Sequence, residues 1–528
     1  MIFIKKKRTS PSSFAKSAEN NRSNDSRALN ANLNKNIQTI KETLGNSSDL
    51  IIREICIGET ARIQAAVLYM DGLADSKSVN HFILELLMLD IQKPESEQTI
   101  DDRQTTLQLL KNSALAVGEI KDVADFETIY TAILSGDVVI VLDGYTQCFA
   151  VGMKGFETRS VEEPASTTVV RGSREGFTEN IRTNTTLIRR RIKDPNLWLE
   201  GRQIGRVTKT FTAIMYIKGI ANDKIVEEVR QRLDRIEIDG ILESGYIEEL
   251  IQDETYSPFP TIYNSERPDV IAAGLLEGRI AILVDGTPFV LLVPALFAQY
   301  FQSAEDYYHR ADFGIIRILR YLALFIALLG PSLYIAITTF HQEMLPTTLL
   351  VSIASQREGV PFPAFIEALM MEATFEILRE AGVRMPRAVG QAVSIVGALV
   401  IGEAAVQAGV VSAVMVIVVS ITAIANFSFP AFDMAISIRI LRFAMMSLAA
   451  SFGLFGITVG LIAMVLHLCS LRSFGVPYMS PFAPFIPDDQ KDAIFRVPWW
   501  GLFSRPRLIN QKNVQREQNP PSNKPEPE

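Results

Sequence analysis

The strongest constraint on this chain is a change of composition near Tyr321. The residues before it have an ordinary content of Asp, Glu, Lys and Arg, whereas residues 321–342 contain none of these. Residues 387–433 enclose a single charge, Glu403, and residues 443–468 again contain no charged side chain of these four types. A helix needs about 20 predominantly apolar residues to cross a bilayer. The sequence therefore predicts a soluble head followed by an all-α polytopic membrane bundle.

The remaining composition narrows the class of protein. A net charge of −7 over 528 residues gives no general argument for nucleic-acid binding, and we expect none. The basic run at residues 5–8 is followed by no apolar segment, so it does not resemble a secretory signal, and we expect the head to be cytoplasmic. The three cysteines lie far apart and predict neither a disulfide framework nor a zinc site.

The head contains an internal repeat. Residues 65–87 and 212–233 each have an alternating apolar strand, a glycine-containing turn and an amphipathic helix. Further along each copy, two β-rich runs flank an Asp-Gly pair, Asp143-Gly144 in one and Asp285-Gly286 in the other, which is typical of a hairpin. We therefore predict an α/β soluble head of two related subdomains. Because Asp-Gly suits a tight turn, we assign these aspartates no catalytic role.

Domain boundaries follow from these segments. They are a disordered basic leader (1–36), a first α/β subdomain (37–155), a connecting helical segment (156–199), a second α/β subdomain (200–305), a membrane domain (306–475) and a C-terminal tail (476–528) that is Pro-rich and disordered at its end. The predicted spans lie at about 321–340, 389–405, 410–428 and 443–468, with an amphipathic acidic helix at 362–382. In the last span, small residues at a spacing that permits close helix packing are Gly453, Gly456 and Gly460.

The connecting segment is rich in charge. Its helix carries acidic residues near its start and arginines near its end, which suits the helix dipole. Two interpretations stay open: salt bridges that hold the subdomains together, or a docking surface for a neighbouring subunit or acidic lipid headgroups. The residues concerned are Arg174, Glu175, Glu179, Arg182, Arg189, Arg190 and Arg191.

The acidic helix is the principal candidate for a functional site. Glu372, Glu376 and Glu380 follow one another at four-residue spacing, so they share one face, where like charges repel. One way to offset the repulsion is local pairing with Arg379 and Arg384. The other is a water-filled lumen in which carboxylates from several subunits favour cations. Glu403 is a second candidate for such an ion pathway, with interfacial water as the alternative environment.

Positive charges leave the topology in conflict. Arginines before the first span and after the last favour a cytoplasmic location for both ends of the membrane domain. Four spans would then place Arg379, Arg384, Arg387, Arg439 and Arg442 outside, whereas a fifth span at 362–382 would place the C-terminus outside. We favour cytoplasmic termini and leave the number of spans open.

An enzyme is not indicated. No phosphate-binding loop, nucleophile elbow or zincin pattern occurs in the sequence, and the four histidines are isolated from one another. We therefore expect no catalytic residues, no metal site and no cofactor.

Several long segments resemble the GerA family of spore germination proteins, specifically the A subunit of nutrient germinant receptors. They include VRGSREGFTENIRTNTTLIRRRI at 170–192, residues 238–253 and 257–288, PFPAFIEALMMEATFEILREAGVRMP at 361–386 and residues 394–412. The resemblance covers roughly residues 40–505. It implies a receptor in the inner membrane of a bacterial endospore, with the soluble head in the cytoplasm.

The resemblance also implies partners. A germinant receptor combines the A subunit with a transporter-like B subunit, to which nutrient recognition is chiefly assigned, and a lipoprotein C subunit. A subunits are thought to form a homo-oligomeric ring in the membrane lipid that conducts ions when nutrient binds. The alternatives are a non-conducting scaffold subunit of the receptor, or the related SpoVAF-type protein of the dipicolinate-release system.

Overall fold

The computed structural model describes residues 28–57, 63–81, 119–155, 163–164, 169–309, 314–384, 402–502, 504–510 and 513–516. The predictions that lie wholly or partly outside these residues include the leader up to residue 27, the end of the first repeat at 82–87, part of the connecting segment, Arg387, most of the span at 389–405 and the end of the C-terminal tail.

Two five-stranded antiparallel sheets form the head, and they share one topology. The first sheet contains β1 (Leu50–Ile57), β2 (Ile63–Met70), β3 (Ile120–Val123), β4 (Val138–Leu142) and β5 (Cys148–Val151). The second contains β6 (Leu197–Ile204), β7 (Thr210–Ile217), β8 (Tyr263–Ser265), β9 (Ile280–Val284) and β10 (Val290–Val293). The orders β1-β2-β4-β5-β3 and β6-β7-β9-β10-β8 are the same order in two copies. The predicted head of two related α/β subdomains is confirmed.

Helices cover both sheets. The first subdomain has α1 (Leu33–Thr43) and α2 (Phe126–Leu134), and the second has α3 (Ile181–Arg191), α4 (Asp223–Asp234), α5 (Ser244–Ile251) and α6 (Pro268–Leu276). In the second subdomain, α4 and α5 pack on one face of the sheet while α3 and α6 pack on the other. Every residue of the central strands β4 and β9 is buried, which explains why both read as continuous apolar runs.

The repeat also includes the first helix of each copy, α1 and α3, which the sequence pattern does not identify as equivalent. Asn32 and Asn180 cap the N-termini of α1 and α3 with their side chains. Behind each cap, a hairpin aspartate accepts a hydrogen bond from the first helical amide: Leu33 N donates to Asp143 Oδ1 at 3.0 Å, and Ile181 N to Asp285 Oδ1 at 3.2 Å. The two Asp-Gly pairs therefore form turns and also anchor the first helix of their own copy.

This pairing corrects two predicted boundaries. Leu29 and Leu33 are buried in the first subdomain's core, so the leader does not extend to residue 36. Helix α3 packs into the second sheet, and β6 begins at Leu197, so the connecting helical segment belongs largely to the second subdomain. The predictions failed because charged residues on α3 concealed the apolar side chains with which it packs, such as Ile188.

A buried ion pair joins the two subdomains. Asp49, just before β1, and Arg189 of α3 are each 1% exposed. Arg189 donates through Nε and Nη2 to the two carboxylate oxygens of Asp49, and through Nη1 to the Leu197 carbonyl at 3.0 Å. Such a bidentate pair fixes orientation as well as distance, so the first subdomain is held in one position on the second.

The chain after the head is helical. Its main helices are α7 (Ile316–Phe340), α8 (Thr347–Arg357), α9 (Ala364–Arg384), α10 (Ala413–Asn426) and α11 (Phe432–Ser470). Among the described residues, α7 and α11 are long and apolar enough to span a membrane, while α10, which matches the predicted span at 410–428, is shorter. The predicted acidic helix is α9.

Helix α11 is a hairpin rather than one straight span. Ser437 and His467 both hydrogen bond to the same loop of the head, at Pro258 and Ser257. A continuous helix would hold residues that far apart in sequence about 45 Å from each other. The break is at Gly453, whose φ of 60° and ψ of −140° are not helical, so the arms are 432–452 and 454–470.

The predicted packing glycines build this hairpin. A Cβ atom on Gly456 would lie 2.2 Å from the Leu448 carbonyl oxygen, and one on Gly460 would lie 2.7 Å from the Met445 sulfur. Gly456 and Gly460 therefore allow the second arm to approach the first, while Gly453 supplies the left-handed φ at the bend. The prediction of a single last span at 443–468 was wrong, because a glycine at a bend and glycines at a helix contact have the same appearance in sequence.

The helices run between two ends, which we call the head end and the far end. Helix α7 begins at the head end, where Arg317 and Arg320 bind Asp306, and finishes beside Gly453 at the far end. Helix α9 runs back, from Glu367 beside the start of α10 to Arg379, which lies over the Phe432 ring at the head end. Helix α10 also runs from the far end to the head end.

The C-terminal segment is part of the fold. We call residues 471–502 and 504–510 the strap. Phe474, Val476 and Ile509 are buried in the core of the second subdomain, and Asp492 binds Arg317 at 3.0 Å at the start of α7. The strap also forms a short hairpin of β11 (Arg472–Ser473) and β12 (Val476–Pro477). The prediction of a tail from residue 476 was therefore wrong over these residues, since their Pro-rich composition hid a set of apolar anchors.

Candidate functional site

A buried charge centre joins three helices of the helical region. Pro331 lies inside α7, and because proline has no amide hydrogen it cannot bond to the Ala327 carbonyl one turn earlier. Arg442, on the first arm of α11, donates its Nε to that carbonyl at 2.7 Å and its Nη1 to Glu372 of α9. Arg442 and Glu372 are 2% and 1% exposed. Pro331 therefore leaves the Ala327 carbonyl free to accept a hydrogen bond from Arg442, and the same guanidinium neutralises the Glu372 carboxylate.

Glu376 is neutralised in the same way, one turn further along α9. Arg439 Nη1 donates to Glu376 Oε2 at 2.5 Å, from one turn earlier on the hairpin arm. The local pairing of Glu376 with Arg379 is not observed; instead the Arg379 guanidinium lies 5.6 Å from the Phe427 ring centre and 5.8 Å from that of Phe432. Arginines on another helix thus offset the repulsion along the acidic face.

Glu380 and Glu403 are the accessible carboxylates of the predicted set. Glu380 forms a local ion pair with Arg384 at 2.6 Å, with side chains 65% and 78% exposed. Glu403 is exposed and accepts a hydrogen bond from Gln407 at 3.0 Å. Of the four predicted carboxylates, Glu372 and Glu376 therefore form ion pairs with arginines of α11, whereas Glu380 and Glu403 are exposed.

Glu367 is a buried carboxylate of α9 that the spacing argument missed. Its Oε2 accepts hydrogen bonds from the backbone amide and hydroxyl of Ser412, the N-cap of α10, and its Oε1 lies 3.4 Å from Arg357 Nε. A carboxylate at a helix N-terminus is favourable. Because Glu367 is five residues before Glu372, it does not belong to the four-residue series, and its partner Ser412 lies 45 residues away in the sequence, so the spacing of the helix gives no signal of its role.

The predicted docking residues have partners inside the head. Arg189 is buried against Asp49, Arg182 lies 3.4 Å from Asp71, and Glu175 binds Arg190 at 3.2 Å and Arg191 at 2.6 Å. Two of these pairs cross between the subdomains, which matches the salt-bridge interpretation for Arg182 and Arg189. Arg174 is exposed beside Glu163, and Glu179 lines a cavity described below.

No cluster of three or more His, Cys, Asp or Glu with metal-binding geometry occurs among the residues that the structure describes. The helical region contains one internal pair of carboxylates bound to arginines, Glu372 and Glu376, and two exposed carboxylates, Glu380 and Glu403.

Comparison with known proteins gives consistent matches over nearly the whole chain. The family model of the Bacillus/Clostridium GerA spore germination protein matches residues 38–508. The chain is 53% identical over 490 residues to spore germination protein KA of Bacillus subtilis strain 168, covering 93% of this chain and 89% of that protein. It is 45% identical over 494 residues to the uncharacterized membrane protein YfkQ of the same organism, covering 93% and 94%.

The chain is also similar to a solved structure. It is the crystal structure of the N-terminal domain of the A subunit of the Bacillus megaterium spore germinant receptor GerK3. The two are 43% identical, with a TM-score of 0.41, and the match covers 52% of this chain and 98% of the solved one.

Proposed function

This chain belongs to the GerA family of spore germination proteins, and from that premise we propose that it is the A subunit of a nutrient germinant receptor whose copies assemble into a cation channel. The proposal includes a location in the spore inner membrane with the head in the cytoplasm, a transporter-like B subunit and a lipoprotein C subunit as partners, and no enzymatic activity. The head and the helical region then have separate tasks, assembly and conduction.

The path of the helices supports this membrane placement. The arms of α11 are about 31 and 26 Å long at 1.5 Å per residue, close to the thickness of a bilayer's hydrocarbon core. Because the second arm returns, the strap and the start of α7 share the head end. Arg379, Arg384 and Arg439 also lie toward the head end, and the extra crossing by the second arm supports a cytoplasmic location for both ends of the membrane domain.

The outward face of α9 carries the channel proposal. Leu369, Ala373, Ile377, Glu380 and Arg384 follow at helical spacing and are all exposed. In a bilayer, exposed charges on such a face require water or another subunit. Several copies that turn this face toward a common axis would place a ring of Glu380 carboxylates at the head-side mouth, and carboxylate rings favour cations.

The neutralised carboxylates have a different part in the proposal. Glu372 and Glu376, bound to Arg442 and Arg439, hold α9 against the hairpin and do not contribute free negative charge. Glu403, exposed beside the start of α10, is the other carboxylate of the proposed ion pathway, toward the far end.

The deciding experiment is germinant-triggered potassium release from spores that carry Glu380→Gln. Removing the carboxylate leaves Arg384 unpaired, so the face becomes positive, and we expect potassium release to slow at least several-fold. Glu380→Asp, which keeps the charge, should restore most of the rate. The matched control is Glu343→Gln, which removes an exposed carboxylate outside α9 and should release potassium as the unchanged protein does.

Receptor levels and stoichiometry distinguish the alternatives. If Glu380→Gln accumulates at the normal level and potassium release is unchanged, α9 does not line the pathway. If purified receptor also contains one copy of this chain, the scaffold role replaces the channel role.

A further inference from the structure

A cavity lies at the joint between the second subdomain and the hairpin α11. Its volume is about 460 Å³, and it is lined by α5, β8, the β9–β10 turn and the first turn of α11. Four carboxylates line it: Glu179, Glu243, Glu248 and Asp433. No Lys, Arg or His is among its lining residues in the described part of the chain. The charged side chains that line this cavity are therefore all acidic.

Two of these carboxylates meet at one amide across the joint. Asn264 of β8 donates its Nδ2 to Asp433 Oδ2 at 2.7 Å, and Glu248 of α5 is next to the same amide. Burial raises the pKa of Glu248 to about 7, and the nearby Asp433 carboxylate adds to the rise. The N-terminal turn of α11 favours a negative charge on Asp433, so a proton shared by the pair resides on Glu248.

The other groups around Glu248 do not neutralise it. Glu243, the N-cap of α5, accepts hydrogen bonds from the Thr287 hydroxyl and from Gly245 N, the latter at 2.6 Å. Burial raises the pKa of Glu243, but these hydrogen bonds lower it by more, so the pKa lies below its usual range. Tyr263 and Tyr300 approach from β8 and from the turn after β10. The surrounding arginines bind elsewhere: Arg232 to Glu228 and Asp253, Arg267 to Asp269, Arg279 to Gln299, and Arg379 to the rings of Phe427 and Phe432.

We propose that Glu248 and Asp433 form a proton-dependent latch between the head and the helical hairpin. When Glu248 is protonated, the pair is a neutral acid beside a carboxylate, and the second subdomain stays docked on the first turn of α11. When both are ionised in a cavity without a cation, they repel each other and the joint loosens. The latch operates whether or not the helical region conducts ions.

The direction of the pH dependence follows from proton linkage. A free glutamate titrates near 4.5, whereas Glu248 in the closed joint titrates near 7. Between these values the closed joint binds more protons than the open one, so raising the pH favours opening. The opening constant should rise by up to about tenfold per pH unit across this window and level off above it.

Hydrogen–deuterium exchange of the full chain in lipid nanodiscs tests the latch. Peptides that cover 244–251 and 432–440 are followed from pH 5 to 8, after correction for the intrinsic pH dependence of exchange. We expect both to lose protection together as the pH approaches 7. Glu248→Gln replaces the acid by a neutral amide of the same shape and should stay protected at every pH.

The neighbouring Glu249→Gln is the matched control, since Glu249 is exposed on the same helix, and it should retain the pH dependence of the unchanged chain. Constant protection of the unchanged chain between pH 5 and 7.5 would overturn the latch without any variant having to fold. So would a Glu248→Gln variant that keeps the full pH dependence.

Discussion

The two subdomains of the head have the same strand order and the same capped first helix, yet they are attached to the rest of the molecule differently. The first is fixed to the second by the Asp49–Arg189 pair and by Trp198, whose indole donates to the Thr43 carbonyl at 3.2 Å. The second takes the strap into its core and meets α11 at the acidic cavity. Duplication thus produced one fold twice, while position in the chain determined which copy couples to the helices.

The largest expected effect comes from separating the copies. Arg189→Ala leaves Asp49 buried without its cation, and breaking a buried pair in this way costs about 3–5 kcal/mol. We expect the free energy of unfolding of the head to fall by that amount, with early loss of protection at 46–52 and 197–204. A urea titration followed by limited proteolysis, together with hydrogen exchange, measures both.

Arg190→Ala is the control for this change. Arg190 is partly exposed and pairs with Glu175 at the surface, so its loss should cost no more than about 1 kcal/mol. Equal losses for Arg189→Ala and Arg190→Ala would contradict the assignment of the buried pair as the fastening between the copies.

The next effect falls on the second copy alone. Phe474 of the strap is 4% exposed, its ring lies 4.3 Å from the Arg232 guanidinium, and its amide donates to Asp253. Phe474→Ala should destabilise the second subdomain by about 3 kcal/mol, since a buried aromatic side chain is removed. Faster exchange should appear in α4 and in the strap, while α1 and α2 of the first copy keep their protection.

A variant at the exposed ring of Phe485, on the same strap, provides the comparison. Phe485→Ala removes the same atoms without creating a cavity, so its stability in the same titration should change by less than about 1 kcal/mol. If the first copy lost protection as much as the second in Phe474→Ala, the strap would not be specific to one subdomain.

Local patterns made much of the head predictable. The Asp-Gly hairpins and the alternating strands recur in order, and both are short-range signals that the structure reproduces. The sequence predicts a connecting segment for α3 because its many charged residues are typical of an exposed helix. Arg189 is nevertheless buried, since its partner Asp49 belongs to the other copy. Long-range pairing of this kind leaves no trace in the spacing of one helix.

The helical region shows the same limit more strongly. Four-residue spacing placed Glu372, Glu376 and Glu380 on one face, but only the fold shows that Arg442 and Arg439 neutralise the first two. Pro331 lies inside α7, and only the structure shows that the Ala327 carbonyl it leaves without an amide partner accepts a hydrogen bond from Arg442. Gly453 was assigned to helix packing, since a backbone bend depends on φ and ψ, which sequence does not reveal.

The smallest effects provide the most direct comparison of the copies. Asn36 and Asn184 are both 1% exposed and make the same bonds: Asn36 Oδ1 accepts from Asn30 N and its Nδ2 donates to the Asn30 carbonyl, while Asn184 does the same with Thr178. Replacing either by Ala removes two partly buried hydrogen bonds to the backbone that precedes the helix, each worth about 0.5–1.5 kcal/mol. We expect equal losses of stability in the two subdomains, each measured by urea titration.

The consequences at a distance should nevertheless differ. Asn184 supports α3, which lies in the copy bound to the strap and to α11, so Asn184→Ala should also increase exchange at 432–440. Asn36→Ala should leave those residues protected, because α1 lies in the first copy, which is joined to the second by contacts such as the Asp49–Arg189 pair. Equal exchange at 432–440 in both variants would mean that the head transmits change as one unit, and the two copies would then differ in position but not in function.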